Sequence, residues 1–160
     1  MESQANSVEI ETLIVGASAA GLAVAACLKQ RDRPFILIEQ SDQVAAAWRR
    51  HYDRLHLHTS RDLSSLPGLP MPRDYPRYPS RDQVIRYLEL YAAHFGLEPV
   101  FNQRLVSAER VDGCWHATTQ GRRYRSANLV LATGYTRRPN LPEWPGQAGF
   151  AGPIIHSSAY

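Results

Sequence analysis

Cysteine is scarce in this sequence: 160 residues contain two, Cys27 and Cys114. They lie far apart and form no C-x-x-C pair. That spacing excludes a disulfide framework or a zinc site, and it removes the paired thiols on which disulfide-exchanging enzymes rely. Long apolar runs are missing too; none approaches the roughly 20 residues that a bilayer span requires. The polar, partly acidic start (residues 1–11) lacks the basic beginning and apolar stretch of a signal peptide, so a cytoplasmic location and no membrane partner are expected. A one-signed charge field is also lacking. The net charge is +3, with arginines scattered in small clusters such as Arg49-Arg50, Arg122-Arg123 and Arg137-Arg138. No basic stripe interleaved with aromatics appears, so no nucleic-acid partner is expected. There is no internal repeat or low-complexity segment.

What is present is an alternation of short apolar strands and helical stretches. After a loose tail over residues 1–10, Glu9 to Val15 (EIETLIV) reads as a buried β-branched strand ending in Gly16. Ala19 to Arg31 reads as a helix with small inner positions (Ala20, Ala23, Ala26, Cys27) that stops before Pro34. Cys27 there reads as a small buried hydrophobe. Phe35 to Glu39 (FILIE) is a second buried strand. Strand, turn, helix and strand make one βαβ unit, whose strands are parallel and whose crossover is right-handed. Ser60 to Pro79 is proline-rich and reads as irregular surface loop. Ser80 caps a helix over Arg81 to Phe95, with Val84, Tyr87, Leu88, Tyr91 and Ala92 on its apolar side. Arg104 to Val111, Cys114 to Thr119 and Arg122 to Ala127 form a β-meander turning at Asp112-Gly113 and Gln120-Gly121. Leu129 to Ala132 is a further buried strand, closed by Thr133-Gly134. Pro139 to Gly152 returns to loop.

Two of these junctions carry chemistry. Gly16-Ala17-Ser18-Ala19-Ala20-Gly21 follows the first strand and opens the first helix. It approximates the G-x-G-x-x-G turn, in which the first glycine permits the sharp bend and the last lets helix and strand approach. The helix N-terminus then offers free N–H groups to a pyrophosphate. Ser18 replaces the middle glycine. Glu39 ends the second strand about 20 residues further on, where an acid binds the ribose hydroxyls of a dinucleotide. Leu131-Ala132-Thr133-Gly134-Tyr135 ends a strand with a glycine, which lets backbone approach a ligand. His56 and His58 alternate with Leu55 and Leu57 as on a strand; no third ligand accompanies them, so no metal site is expected.

The chain resembles the N-terminal part of the flavin-containing monooxygenase superfamily, and within it the plant YUCCA-type indole-3-pyruvate monooxygenases and their bacterial relatives. Three further stretches carry the resemblance: Trp48 to His58 (WRRHYDRLHLH), Pro76 to Arg81 (PRYPSR), and Phe150 to Tyr160 (FAGPIIHSSAY). The last fits the superfamily's F-x-G-x-x-x-H-x-x-x-Y pattern, whose closing tyrosine points to the amine- and indole-pyruvate-type branches. The resemblance implies an α/β, Rossmann-like FAD-binding domain of the two-dinucleotide flavoprotein type, a parallel sheet with a β-meander, over residues 11–149. Residues 150–160 would be a linker leading to an NADPH-binding domain absent from this chain. It further implies that FAD lies along Gly16, Ala17, Ser18, Ala19, Ala20, Gly21, Glu39, Gln40, Trp48, Arg49, His58, Val106, Ala132, Thr133 and Gly134. Arg49 would face the phosphates and His58 the isoalloxazine, while His156 reads as a linker residue rather than a proton shuttle.

The expected activity is the family's: NADPH reduces FAD, and one atom of O2 enters a small organic substrate (an amine, a sulfide or indole-3-pyruvate) while the other leaves as water. The flavin supplies the reactivity, so no catalytic side chain is expected within these residues, and the 160-residue piece alone is expected to be inactive. Two other classes compete. A flavin-dependent NAD(P)H or disulfide oxidoreductase of the same architecture would usually carry a redox cysteine pair, which is missing. A binding module that holds FAD without oxygenating anything remains compatible with the sequence. The oligomeric state is not legible.

Overall fold

The computed structural model describes residues 7–134 and 139–159. Tyr135, Arg137, Arg138 and Tyr160, and the tail residues before Ser7, lie outside the described residues. The chain runs β1 (Ser7–Val15), α1 (Ala19–Lys29), β2 (Phe35–Ile38), the short α2 (Ala46–Arg49) and α3 (Arg61–Ser64), α4 (Arg81–His94), β3 (Leu105–Val111), β4 (Cys114–Thr119) and β5 (Arg123–Leu131). Two 3-10 turns follow, Gln147–Gly149 and Ser157–Ala159.

All five strands form one sheet in the order β2-β1-β5-β4-β3. β1 pairs in parallel with β2 and with β5, whereas β5, β4 and β3 are antiparallel. The expected parallel sheet with a meander is therefore present as a single mixed sheet. β5 differs from the sequence expectation. The sequence predicts separate strands over Arg122 to Ala127 and Leu129 to Ala132, yet one nine-residue strand, Arg123–Leu131, joins them. Its first half pairs with β4 while its whole length pairs with β1. No glycine or proline interrupts the run, so nothing breaks the ladder. Leu131, expected to be buried, is 63% exposed.

Side-chain alternation along the parallel strands puts apolar groups on both faces, and both are covered. Ile14 and Leu37 face the helices and pack with Leu22, Ala25, Ala26, Leu88 and Tyr91. Leu13, Val15 and Ile38 face the other way and pack with Ala117 and Tyr124, with Leu105 and Ala108 of β3 against them. Residues of β3, β4 and β5 thus join those of β1 and β2 in one apolar cluster on this face.

Other boundaries also move. β1 starts at Ser7, two residues before the expected Glu9, and its residues 7–10 pair with residues 123–126 of β5. α1 buries Gly21, Leu22, Ala25 and Ala26, whereas Ala20 is exposed and Ala23 and Cys27 are half-buried. Its inner face is thus rotated from the expected stripe, because the demand for a close approach falls on Gly21. α4 buries all five expected positions and Ile85 as well. Ser80 and Gln83 form a capping box at its start. Asp112 and Gly113 both have positive φ (48° and 78°), the requirement of a tight type I′ hairpin.

The proline-rich stretch 60–79 is not a bare surface loop. It contains α3, buries Met71 and Pro79, and is held by two α4 phenols. The Tyr87 hydroxyl accepts the Leu66 N–H and donates to the Leu69 carbonyl, each at 2.6 Å. The Tyr91 hydroxyl donates to the Pro67 carbonyl. Burial pushes both phenols up, that of Tyr91 to about 12, so both remain protonated donors at neutral pH. Tyr87→Phe should leave one loop donor and one acceptor without a partner and lower unfolding stability by about 1–3 kcal/mol in a urea titration.

Candidate functional site

The C-terminal ends of β2, β1 and β5 lie side by side and are stitched together just beyond the strands. Gly16 N–H donates to Ile38 O at 2.8 Å, and Ala132 N–H to Val15 O at 2.9 Å. Two sequence-predicted turns, Gly16 to Gly21 and Ala132 to Gly134, thereby become neighbours. Their contact is backbone on backbone. A Cβ at Gly16 (φ +109°) would stand 2.4 Å from Ala132 O, and one at Gly21 would stand 1.8 Å from Gly16 O. Gly21 therefore does what the sequence assigns to it. For Gly16 the close neighbour is Ala132, so protein backbone as well as the bend demands glycine there.

The turn opens α1, an 11-residue helix with no acid in its first turn and Lys29 in its last. Ser18 is the N-cap in extended geometry, and its side chain makes no capping hydrogen bond. The first-turn N–H groups of a helix have no intrahelical acceptor, so this end offers donors and a positive dipole end to an anion. Glu39, 9% exposed, follows β2 immediately. One carboxylate oxygen accepts Ala17 N–H at 2.8 Å and the other accepts Ser41 N–H at 2.9 Å. Each oxygen has a second lone-pair site for a hydroxyl. Gln40 is exposed beside it. Gln103 N–H bonds to Glu39 O at 2.8 Å, and three residues later Val106, 65% exposed, sits where the β3–β4 register shifts.

Ala17 O accepts Ala45 N–H at 3.0 Å, which ties the turn to α2. Trp48 on α2 is half-buried and packs on the helix-side core, its ring edge-on to His51. Arg49 follows on the same short helix. Its guanidinium pairs with Glu89 of α4 and its buried Nε has no hydrogen-bond partner, so in this structure it braces α2 against α4. Arg81 at the start of α4 fixes the next segment, donating to His51 O and to Asp53, each at 2.7 Å.

The leucine–histidine alternation also holds: Leu55 and Leu57 are half-buried, and His56 and His58 are exposed. This segment runs antiparallel to the one before α4, through Leu57 N–H to Pro79 O, Arg81 N–H to Leu55 O and the His56–Ser80 bridge. Between them lies a shallow, solvent-open hollow of about 680 Å³ lined by His56, Leu57, His58, Pro76, Arg77 and Tyr78. The Arg77 guanidinium stands 5.4 Å from the Tyr78 ring centroid. Arg61 holds the wall, donating to the carbonyls of Arg73 and Tyr75. Sequence reasoning did not assign Arg61, Arg77 or Ser41 to the site. A capped helix start just after a tyrosine–proline loop could have signalled the facing wall; nothing in the sequence marks Ser41. Among the described residues, no cluster of His, Cys, Asp or Glu could hold a metal ion, and no helix is long and apolar enough to cross a membrane.

The profile of the pyridine nucleotide-disulphide oxidoreductase family matches residues 13–158. The chain is 46% identical over 151 residues to a probable indole-3-pyruvate monooxygenase, YUCCA4, of Arabidopsis thaliana. It is 43% identical over 152 residues to the indole-3-pyruvate monooxygenase YUCCA1 of Oryza sativa subsp. japonica. In both cases 92% of this chain is covered, but only 37% of the relative. The fold matches that of a flavin-containing monooxygenase from Stenotrophomonas maltophilia with a TM-score of 0.88 and 25% identity, over 96% of this chain and 47% of that one.

The contacts around the turn lead to one stability test. Gly16→Ala should lower the unfolding free energy of the chain by about 1–3 kcal/mol, the usual cost of forced overpacking, in the absence of any ligand. Denaturant titration checks it.

Proposed function

This chain belongs to the pyridine nucleotide-disulphide oxidoreductase family, and from that premise we propose that it is the FAD-binding part of an NADPH-dependent flavoprotein monooxygenase. One observation carries the cofactor reading. The open N-terminus of α1, the buried acid after β2 and the glycine-ended turn after β5 converge at one edge of the parallel strands. That is where dinucleotides bind in such sheets. The oxygenase reading draws on the named relatives, which are monooxygenases.

The residues present suit FAD. Ser18, Ala19 and Ala20, at the open end of α1, would hold the pyrophosphate. Glu39 would accept the ribose hydroxyls, with Gln40 and Val106 toward the adenosine. Ala132 to Gly134 let backbone approach, and the His56–Tyr78 cavity would receive the flavin end, with His58 beside it. The bound flavin supplies the redox and oxygen chemistry. The residues of this chain bind and orient the cofactor. Trp48 and the α4-braced loop keep the cavity walls in place, and no side chain here is assigned a proton transfer. NADPH would be held by a further domain, the substrate would be a small organic molecule of the amine, sulfide or indole-3-pyruvate type, and the protein would be cytoplasmic. Cys27 and Cys114 sit on separate elements and both are free, so these residues themselves supply no thiol pair for disulfide exchange.

Three outcomes test this. The chain should turn yellow with FAD, and its melting temperature should rise with FAD concentration but not with NADPH; a colourless protein with an unmoved melting temperature argues against the site. Ser18→Asp should keep or raise stability without FAD, because aspartate is a good N-cap, yet weaken FAD about tenfold or more by repelling the pyrophosphate, measured by flavin fluorescence titration. A chimera completed with the remaining length of a relative should couple NADPH consumption to an oxygenated product. Oxidation of NADPH without such product would sink the monooxygenase assignment.

A further inference from the structure

We propose that Glu39 is a positioning residue that locks the glycine turn before any dinucleotide arrives, a role separate from that of ribose ligand. Its consequence for affinity rests on the FAD reading above; the lock itself does not.

A buried carboxylate is costly unless its oxygens are bonded. The Glu39 side chain is 9% exposed, and its two oxygens are divided between backbone donors from two different segments: Ala17 N–H at 2.8 Å and Ser41 N–H at 2.9 Å. Its own main chain is engaged as well, donating to Val100 O at 3.0 Å and accepting Gln103 N–H at 2.8 Å. Every hydrogen-bonding group of this residue thus holds a neighbour. The consequence falls on the peptide between Gly16 and Ala17. Gly16 stands at φ +109°, so the preceding strand does not dictate the direction of that peptide. The carboxylate does so by capturing Ala17 N–H, while Ala45 N–H holds Ala17 O from the other side at 3.0 Å. Ala17 N–H is consequently not among the donors left for an anion, which falls to the residues that begin α1. An acid that served a ligand alone would have no need of protein donors on both oxygens.

The test uses the chain as it stands, without FAD, with thermal unfolding and amide spectra from ¹⁵N-labelled protein. In the parent, the Ala17 and Ser41 amide protons should lie downfield and exchange slowly. Glu39→Gln keeps an acceptor for one N–H and sets an NH2 against the other. It should move both resonances and lower the FAD-free melting temperature by about 4 °C or more; Glu39→Ala should do so further. If Glu39→Ala does not fold, the parent exchange rates and Glu39→Gln decide. The proposal is overturned if both amides exchange at the solvent rate in the parent. It is equally overturned if Glu39→Gln leaves the melting temperature and both resonances unchanged while FAD affinity drops, since that is the behaviour of a ribose ligand alone. A parent that never binds FAD but shows the expected shifts would sink the FAD reading and leave the lock standing.

Discussion

The candidate site depends on three backbone segments meeting at van der Waals range. Gly16 touches Ala132 O on one side and receives Gly21 against its own carbonyl on the other, so β1, β5 and α1 converge on one atom-thick contact. No side chain can intervene. The close approach of α1 to the end of β1 follows from that contact. It brings the open end of α1 beside Ala132 to Gly134 and lets Ala17 present its N–H to Glu39 and its carbonyl to Ala45.

The rest of the structure supports that edge from two faces. α1 and α4 cover one face of the parallel strands, and the meander covers the other. Both are needed, because parallel strands bury side chains on both sides. β5 lets one sheet do this: antiparallel to β4 in its first half and parallel to β1 throughout, it hands the meander to the central sheet without a turn. The second part of the site, the histidine–tyrosine cavity, is assembled differently. It hangs from α4, whose cap, arginine and two phenols hold the segments on either side.

The likeness to monooxygenases is a likeness of sequence as well as of fold. The family name covers disulfide-exchanging enzymes as well as other flavoproteins, and architecture alone does not separate them. The two thiols of this chain stand on separate elements, one on α1 and one at the start of β4. The cavity walls carry imidazoles, a guanidinium and a phenol instead.

Local rules were enough for much of this. The β-branched runs specified β1 and β2, and the capping box with its apolar spacing specified α4. The Asp112-Gly113 pair specified its hairpin, and Gly16 and Gly21 specified a tight strand-to-helix turn, because each of these is decided within a few residues of chain. What no window of sequence contains is who meets whom across the fold. The union of two predicted strands into β5 depends on partners 116 residues away along β1. The inner face of α1 was set by the approach of Gly21 to Gly16 rather than by the apolar stripe. The pairing of Arg49 with Glu89 arises because α4 packs beside α2. The double engagement of Glu39 needed two N–H groups brought to it by separate segments. The sequence by itself determined the elements and the chemistry at their ends; only the tertiary structure decided which of those ends touch, because contact energies depend on distance in space and not along the chain.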